Sequence, residues 1–429
     1  MELFRKIKCL SALLLIMSVL SCRMEDAVVV VGVSFEPEIE SNYEHEKGEW
    51  TVMVYMCADN SLEKAALVDI NEMENSTFDF EKNNVVLLVD FNSKKEGYDG
   101  EWKGTRMYEV RHDKMGMNDK IVSQRICCRE LGLSCRNESK IDMSDPSVLR
   151  NFISSTKQYY PADHYAFLMW GECSGYSGKK ERALAFDDTS MSYMDNKTFS
   201  TSLFEGLNEK FELLAMDSCF GSEIELLMEF ERGADYFLGM EGLQKVEGWD
   251  YSSLFNALDS DCVGGKEFGQ KIMDSQSEKN VSLVDLSMVM ELCGQFDSFA
   301  KKAADSIKNK SDAIKTRNEI LNSNCCFKSY EAPVNPVYVD IKRLAEEFNS
   351  SDLTDVMEKS VQCSDAGYGG VGVFFCNLDK DGNLIQKIPD DYVRNKSAVN
   401  CTFVNGTENY VFTQERKGTL LDKLFGNYF

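Results

Sequence analysis

Apolar residues cluster in short runs bounded by turn residues, at 50–56, 84–90, 165–170, 213–216 and 235–240. Each run is apolar at successive positions, which suits central strands of a parallel sheet covered on both faces. Between the runs the spacing changes to the helical period, over 62–73, 147–159 and 222–231, the last closed by Gly233. This alternation predicts an α/β fold with a mostly parallel sheet flanked by helices. Beyond about residue 259 helical spacing dominates, over 286–307, 312–321, 341–348 and 353–362, with one further strand at 369–376. That strand leads into Asn377-Leu-Asp-Lys-Asp-Gly-Asn383, which reads as a hairpin turn in preference to an oxygen-rich cation loop. The expected organisation is therefore an α/β domain over 50–260 and a largely helical C-terminal extension over 261–429.

The amino-terminal segment reads differently. Arg5, Lys6 and Lys8 precede an apolar run over 10–20, too short to span a bilayer and of the length of a signal-peptide core. It ends Val19-Leu20-Ser21-Cys22, similar to a bacterial lipobox in which Cys22 carries lipid; plain secretion is the alternative. Residues 1–21 are thus expected to be a signal peptide and 22–49 a glutamate-rich tether, placing the protein in the cell envelope with a lipid anchor in the membrane. Of 15 cysteines, removing Cys9 and Cys22 leaves 13, and those inside apolar runs, such as Cys57 and Cys376, read as buried thiols. Spacing does not give their connectivity.

Charge narrows the partners. Acidic groups outnumber basic ones 71 to 47, for a net charge of −24, and loss of Glu2, Arg5, Lys6 and Lys8 with the signal peptide makes it −26. Such a surface repels phosphate backbones, which excludes nucleic-acid binding, and attracts basic peptides or cations.

In parallel α/β sheets chemistry gathers at the carboxyl ends of strands. Two loops there carry reactive residues: Trp170-Gly-Glu-Cys-Ser-Gly175 and Asp217-Ser-Cys-Phe-Gly-Ser222. Cys219 precedes a helix opened by Ser222-x-x-Glu225, a capping-box pattern whose positive end favours thiolate.

At this point the chain resembles the clostripain family of cysteine peptidases, which share the caspase-like fold. The likeness is carried in order by Trp50-Thr-Val-Met-Val-Tyr-Met-Cys-Ala-Asp-Asn-Ser-Leu-Glu63, Pro161-Ala-Asp-His-Tyr165 with Trp170, Phe186-Asp-Asp-Thr-Ser190, Asp217-Ser-Cys219, Gly239-Met-Glu-Gly242 and Gly248-Trp-Asp-Tyr251. It covers roughly 50–260 and continues more loosely through Val284-Asp-Leu-Ser287. The resemblance implies a nucleophile at Cys219, a carboxylate flooring the specificity pocket at Asp217, supporting acids at Glu241 and Glu247, and selection of Arg or Lys. No cofactor is certain and no metal ligands are assigned, although the resemblance allows Ca2+.

The chain departs from the family at the general base. Where the family has a His, in a Trp-x-His-Gly-x-Gly loop, this chain has Glu172, and Cys173 stands where a Gly belongs. The Cys173 N–H remains a candidate oxyanion donor, and an oxidising compartment would allow its thiol to pair with Cys219. A carboxylate neither stabilises the thiolate nor protonates a leaving amine, and a lost base is worth roughly 10²–10⁴-fold in rate. Of the three histidines, His45 lies in the tether and His164 at the far end of its strand. His112, after an edge-strand pattern over 105–110, reads as a surface histidine and is the alternative base. The sequence therefore predicts a catalytically impaired member that binds basic peptide or protein segments; the alternative is an active endopeptidase cleaving after Arg or Lys. Lys179, Lys180 and Arg182 offer that alternative a self-cleavage loop.

Overall fold

The computed structural model describes residues 45–92, 102–118, 120–173, 183–258, 262–277, 280–322, 338–364, 368–375 and 420–425. The expected signal peptide, Cys22, the expected self-cleavage loop, Cys376 and the turn at 377–383 lie outside the described residues.

From the amino end the chain forms β1 (Gly48–Ala58), α1 (Glu63–Glu74), β2 (Asn84–Phe91), β3 (Gly104–Glu109) and β4 (Gln124–Ile126). Next come α2 (Pro146–Tyr159), β5 (Ala162–Trp170), the hairpin β6 (Ala183–Asp187) and β7 (Ser192–Asp195), α3 (Asn196–Leu207), β8 (Phe211–Asp217), α4 (Ile224–Phe230) and β9 (Ala234–Met240). α5 (Tyr251–Ala257), α6 (Gly265–Ser275), β10 (Val281–Asp285), α7 (Val289–Ser306) and α8 (Lys310–Asn322) follow. The last described elements are β11 (Tyr338–Asp340), α9 (Ile341–Glu347), α10 (Ser351–Ser360), β12 (Val361–Cys363), β13 (Gly372–Phe374) and α11 (Leu420–Phe425). None of the described helices is long and apolar enough to cross a membrane.

Nine strands form one sheet in the order β12-β10-β9-β8-β5-β1-β2-β3-β4. Its centre, β9-β8-β5-β1-β2, is parallel, and these are the five runs whose apolar character on both faces predicted central strands. Period-two alternation splits their side chains between two cores. Met53, Tyr55 and Cys57 of β1 face α2 and α3, whereas Val52, Val54 and Met56 face α1, α5 and α6. The expected edge strand at 105–110 is β3, with β4 beyond it. The helices expected after 260 are present, and that stretch also gives the sheet two antiparallel strands, β10 and β12. The expected tether reaches less far than 49, because His45 N–H bonds to the Tyr159 carbonyl and β1 already begins at Gly48.

Connections set the working end. Because β1, β2, β5, β8 and β9 run the same way, the segments after Ala58, Phe91, Trp170, Asp217 and Met240 emerge together. A disulfide joins Cys127 to Cys135 beside β4. Cys57 and Cys293 are buried free thiols, whose burial pushes their pKa up.

Candidate functional site

Strands β5 and β8 are parallel neighbours, and Trp170 lies beside Asp217 in their register. Equal steps beyond that pair carry Glu172 and Cys219 into one cavity of about 100 Å³, which Leu62, Gln244 and Gly248 also line. Gly171 makes this approach feasible: its φ is +139°, and a β-carbon there would stand 3.0 Å from the Cys57 carbonyl. On the other side the chain turns through Phe220, at φ 51°, whose N–H bonds to the Gly242 carbonyl.

The electrostatics oppose a thiolate. Burial pushes the Cys219 thiol above its ordinary pKa, and the carboxylates of Glu172 and Asp217 add to that rise; the Gln244 N–H, 3.4 Å from Sγ, works against it. Burial, assisted by Asp188, likewise pushes Glu172 above the ordinary carboxylate range. The thiol also gains little from a helix, since α4 starts only at Ile224 and a dipole acts within its first turn. The expected capping box does not form. Ser222 Oγ donates instead to the Gly370 carbonyl, and Glu225 Oε1 accepts from Phe374 N–H, so both side chains serve the β13 segment packed on this turn.

Asp217 is 5% exposed and already bonded. It accepts from Gln244 Nε2 at 2.7 Å and from Trp249 N–H at 3.0 Å. Behind it lies a second acid. Asp69 of α1 accepts from Trp170 Nε1 at 2.6 Å through one oxygen, while its other oxygen is buried without a hydrogen-bond partner. Both carboxylates press on Gly248, whose β-carbon would lie 2.8 Å from Asp217 Oδ2 and 3.5 Å from Asp69 Oδ2. Burial first, then the Asp217 charge, drives Asp69 well above the carboxylate range.

The two supporting acids expected from the sequence are not in this cluster. Glu241 is fully buried, accepting from Gly370 N–H at 2.8 Å beside Asp340, and does not line the cavity. Its burial reflects that packing partner, 129 residues away in sequence. Glu247 is exposed on the loop between two residues that line the cavity, Val246 and Gly248. The Cys173 side chain joins the core at 5% exposure, and neither it nor Cys219 is in a disulfide, so the pairing that export would allow is not formed.

All three histidines stand at the opposite end of the sheet. His164 opens β5 and bonds Glu212. His45 stacks on Tyr160, which precedes β5. β3 runs antiparallel to β2, so its end at Glu109 pairs with Val86 near the start of β2, and His112 continues from there to pack on Phe80. With strands of this length the separation is roughly 20 Å at ~3.3 Å per residue. His112 cannot reach Cys219.

Three buried carboxylates, Asp59, Asp90 and Asp187, offer oxygen atoms within 4.8 Å of one another, the arrangement a cation such as Ca2+ would need. The ammonium of Lys140 bonds to all three and takes the position between them that an ion would occupy, so these residues as arranged do not fit a divalent ion.

Sequence reasoning missed Gln244 and Asp69. Asp69 left a signal, as a charge on the apolar face of α1 between Ala66, Ile70 and Met73. Gln244, a neutral residue in a polar loop, left none.

Comparison with known proteins gives the family and the fold. The model of the clostripain family matches residues 54–393. Clostripain of Hathewaya histolytica is 26% identical over 357 residues, which take in 70% of this chain and 66% of that protein, slightly under two thirds of its length. Among solved structures, a secreted C11 cysteine protease from Bacteroides thetaiotaomicron in complex with an irreversible peptide inhibitor superposes with a TM-score of 0.58 at 18% identity, covering 82% of this chain and 98% of that one. An inactive zymogen C11 protease from Parabacteroides distasonis gives 0.56 at 16% identity, covering 77% and 92%. At these identities the structural likeness shows the fold, the mostly parallel sheet with flanking helices.

Proposed function

From the premise that the chain belongs to the clostripain family of cysteine peptidases, we propose that it is a member without peptidase activity that binds basic side chains of peptides or proteins. The observation that carries this is the separation of the histidines from the thiol: Cys219 shares its cavity with Glu172 and Asp217, and every histidine of the chain lies at the other end of the sheet. Attack by Cys219 needs a group that takes the thiol proton, stabilises the thiolate as a cation and then protonates the leaving amine. Glu172 supplies only negative charge. What remains is a recess with buried acids at its floor, and a sheltered carboxylate pairs most strongly with Arg or Lys.

The protein acts outside the cytoplasm. Its amino-terminal apolar run, its Cys127–Cys135 disulfide and the secreted character of the Bacteroides thetaiotaomicron neighbour support export, and Cys22 is the site of the lipid anchor.

The test is hydrolysis of fluorogenic peptides ending in Arg or Lys, beside a binding titration with an Arg-containing peptide. No hydrolysis is expected, with binding that Asp217→Asn weakens roughly ten- to hundred-fold. Turnover that Cys219→Ala removes would overturn the reading in favour of an active endopeptidase.

A further inference from the structure

One residue touches both functional groups of the cavity. The backbone N–H of Gln244 points at Cys219 Sγ from 3.4 Å, and the thiol faces the Gln244 carbonyl at 3.8 Å. The Gln244 side chain reaches Asp217 with Nε2 at 2.7 Å, and its Oε1 accepts from Lys245 N–H at 3.0 Å. The carboxamide is thus bound at both of its polar atoms, as an incoming side chain would be. Asp217 Oδ1 is taken by this carboxamide and Oδ2 by Trp249 N–H, so a ligand that pairs with Asp217 at Oδ1 must move Gln244 aside.

We infer that Gln244 is the specificity-determining residue of this pocket, a neutral occupant built into the chain that admits only ligands carrying a cation. The inference rests on the reading of Asp217 as the recognition acid. A carboxamide from a peptide gains nothing by replacing Gln244, because it would make the same bond while losing the high effective concentration of a tethered group. A guanidinium, amidinium or ammonium makes a charge-assisted bond to Asp217, roughly twice as strong as a neutral one, and displaces the amide. The hinge is local. Gln244 lies in the loop between β9 and α5, where Leu243 and Val246 on either side are 40% and 67% exposed, so the residue can swing outward without opening the core.

Benzamidine and its neutral isostere benzamide test this on the purified protein. Titrated calorimetrically, the unaltered protein is expected to bind benzamidine and to show no heat with benzamide. Gln244→Ala is expected to bind benzamidine at least ten-fold more tightly, equivalent to about 1.4 kcal/mol, and to bind benzamide measurably, so that discrimination falls. Alkylation of Cys219 by iodoacetamide should also be faster in the variant, with its melting temperature showing that it is folded. Benzamidine affinity unchanged by Gln244→Ala would overturn the inference. Benzamidine affinity undiminished by Asp217→Asn would instead sink the reading of Asp217 on which it rests. Faster alkylation with no benzamidine binding by either protein would refute cation selection.

Discussion

Replacing Glu172 by His tests whether that residue causes the proposed catalytic silence. The substitution acts on two groups at once, because Glu172 and Cys219 line the same cavity and the Glu172 charge is one of the causes that raise the thiol. Removing it lowers the Cys219 pKa, and an imidazolium in its place lowers it further. Each pH unit of that fall is a ten-fold gain in thiolate at neutral pH, worth about 1.4 kcal/mol. A restored base adds roughly 10²–10⁴-fold to any acyl transfer. Two readouts separate these contributions. Iodoacetamide alkylation of Cys219 at pH 7 reports the thiolate and should rise at least ten-fold. Hydrolysis of Arg- and Lys-ended fluorogenic peptides reports the base and should appear with a bell-shaped pH profile. No second change at Cys173 is needed, because its side chain is packed in the core; Cys173→Gly would instead leave a small cavity costing about 1 kcal/mol. If Glu172→His leaves the alkylation rate unchanged in a folded protein, the charge of Glu172 does not govern the thiol, and catalytic silence has another cause.

Other perturbations follow from the same geometry. Asp217→Asn should weaken binding of an Arg-containing peptide roughly ten- to hundred-fold by calorimetry, the worth of a hydrogen bond to a charged group, about 1.5–3 kcal/mol. Glu74, whose Oε1 accepts from Val122 N–H, Ser123 N–H and Ser123 Oγ while Oε2 is buried without a partner, has its pKa raised by burial to about 7. A raised folded pKa means stability that is present below the unfolded value of 4.5 and lost as pH rises through about 7. The unfolding free energy from urea titration should therefore fall over that window, by up to about 3 kcal/mol from this residue, and Glu74→Gln should flatten the fall. Lys140→Met should cost about 2–3 kcal/mol in the same assay, discounting for the quarter of the side chain that water reaches, because it leaves three carboxylates facing one another.

The sheet was legible because its five central strands are apolar on both faces, a pattern that only burial between two helical layers explains. The outer strands β4, β10 and β12 are three to five residues long and carry no such run. Their pairing is fixed by tertiary contacts and not by local pattern. In the site, Cys219, Asp217 and Glu172 could be placed from sequence because strand ends gather chemistry and each lies within two residues of a strand. Glu241 was misplaced for the complementary reason. It ends β9 beside the others, yet its side chain turns inward to meet Gly370 and the Asp340 carboxyl, partners that only the folded chain brings near. Gln244 was illegible because its part in the site comes from two hydrogen bonds, which leave no charge or periodicity to read.

Glu172 connects what this site lacks with what it keeps. A histidine there would be a base toward Cys219 and, once protonated, a cation a short distance from Asp217, competing with the basic side chain the pocket recognises. A carboxylate reverses both effects. It adds to the field of Asp217, deepening the attraction for a cation, and the same field raises the thiol. On the proposed reading, loss of chemistry and affinity for a cation have one electrostatic origin. Cys219 itself is a small polarizable wall of the recess, faced by the N–H and the carbonyl of Gln244.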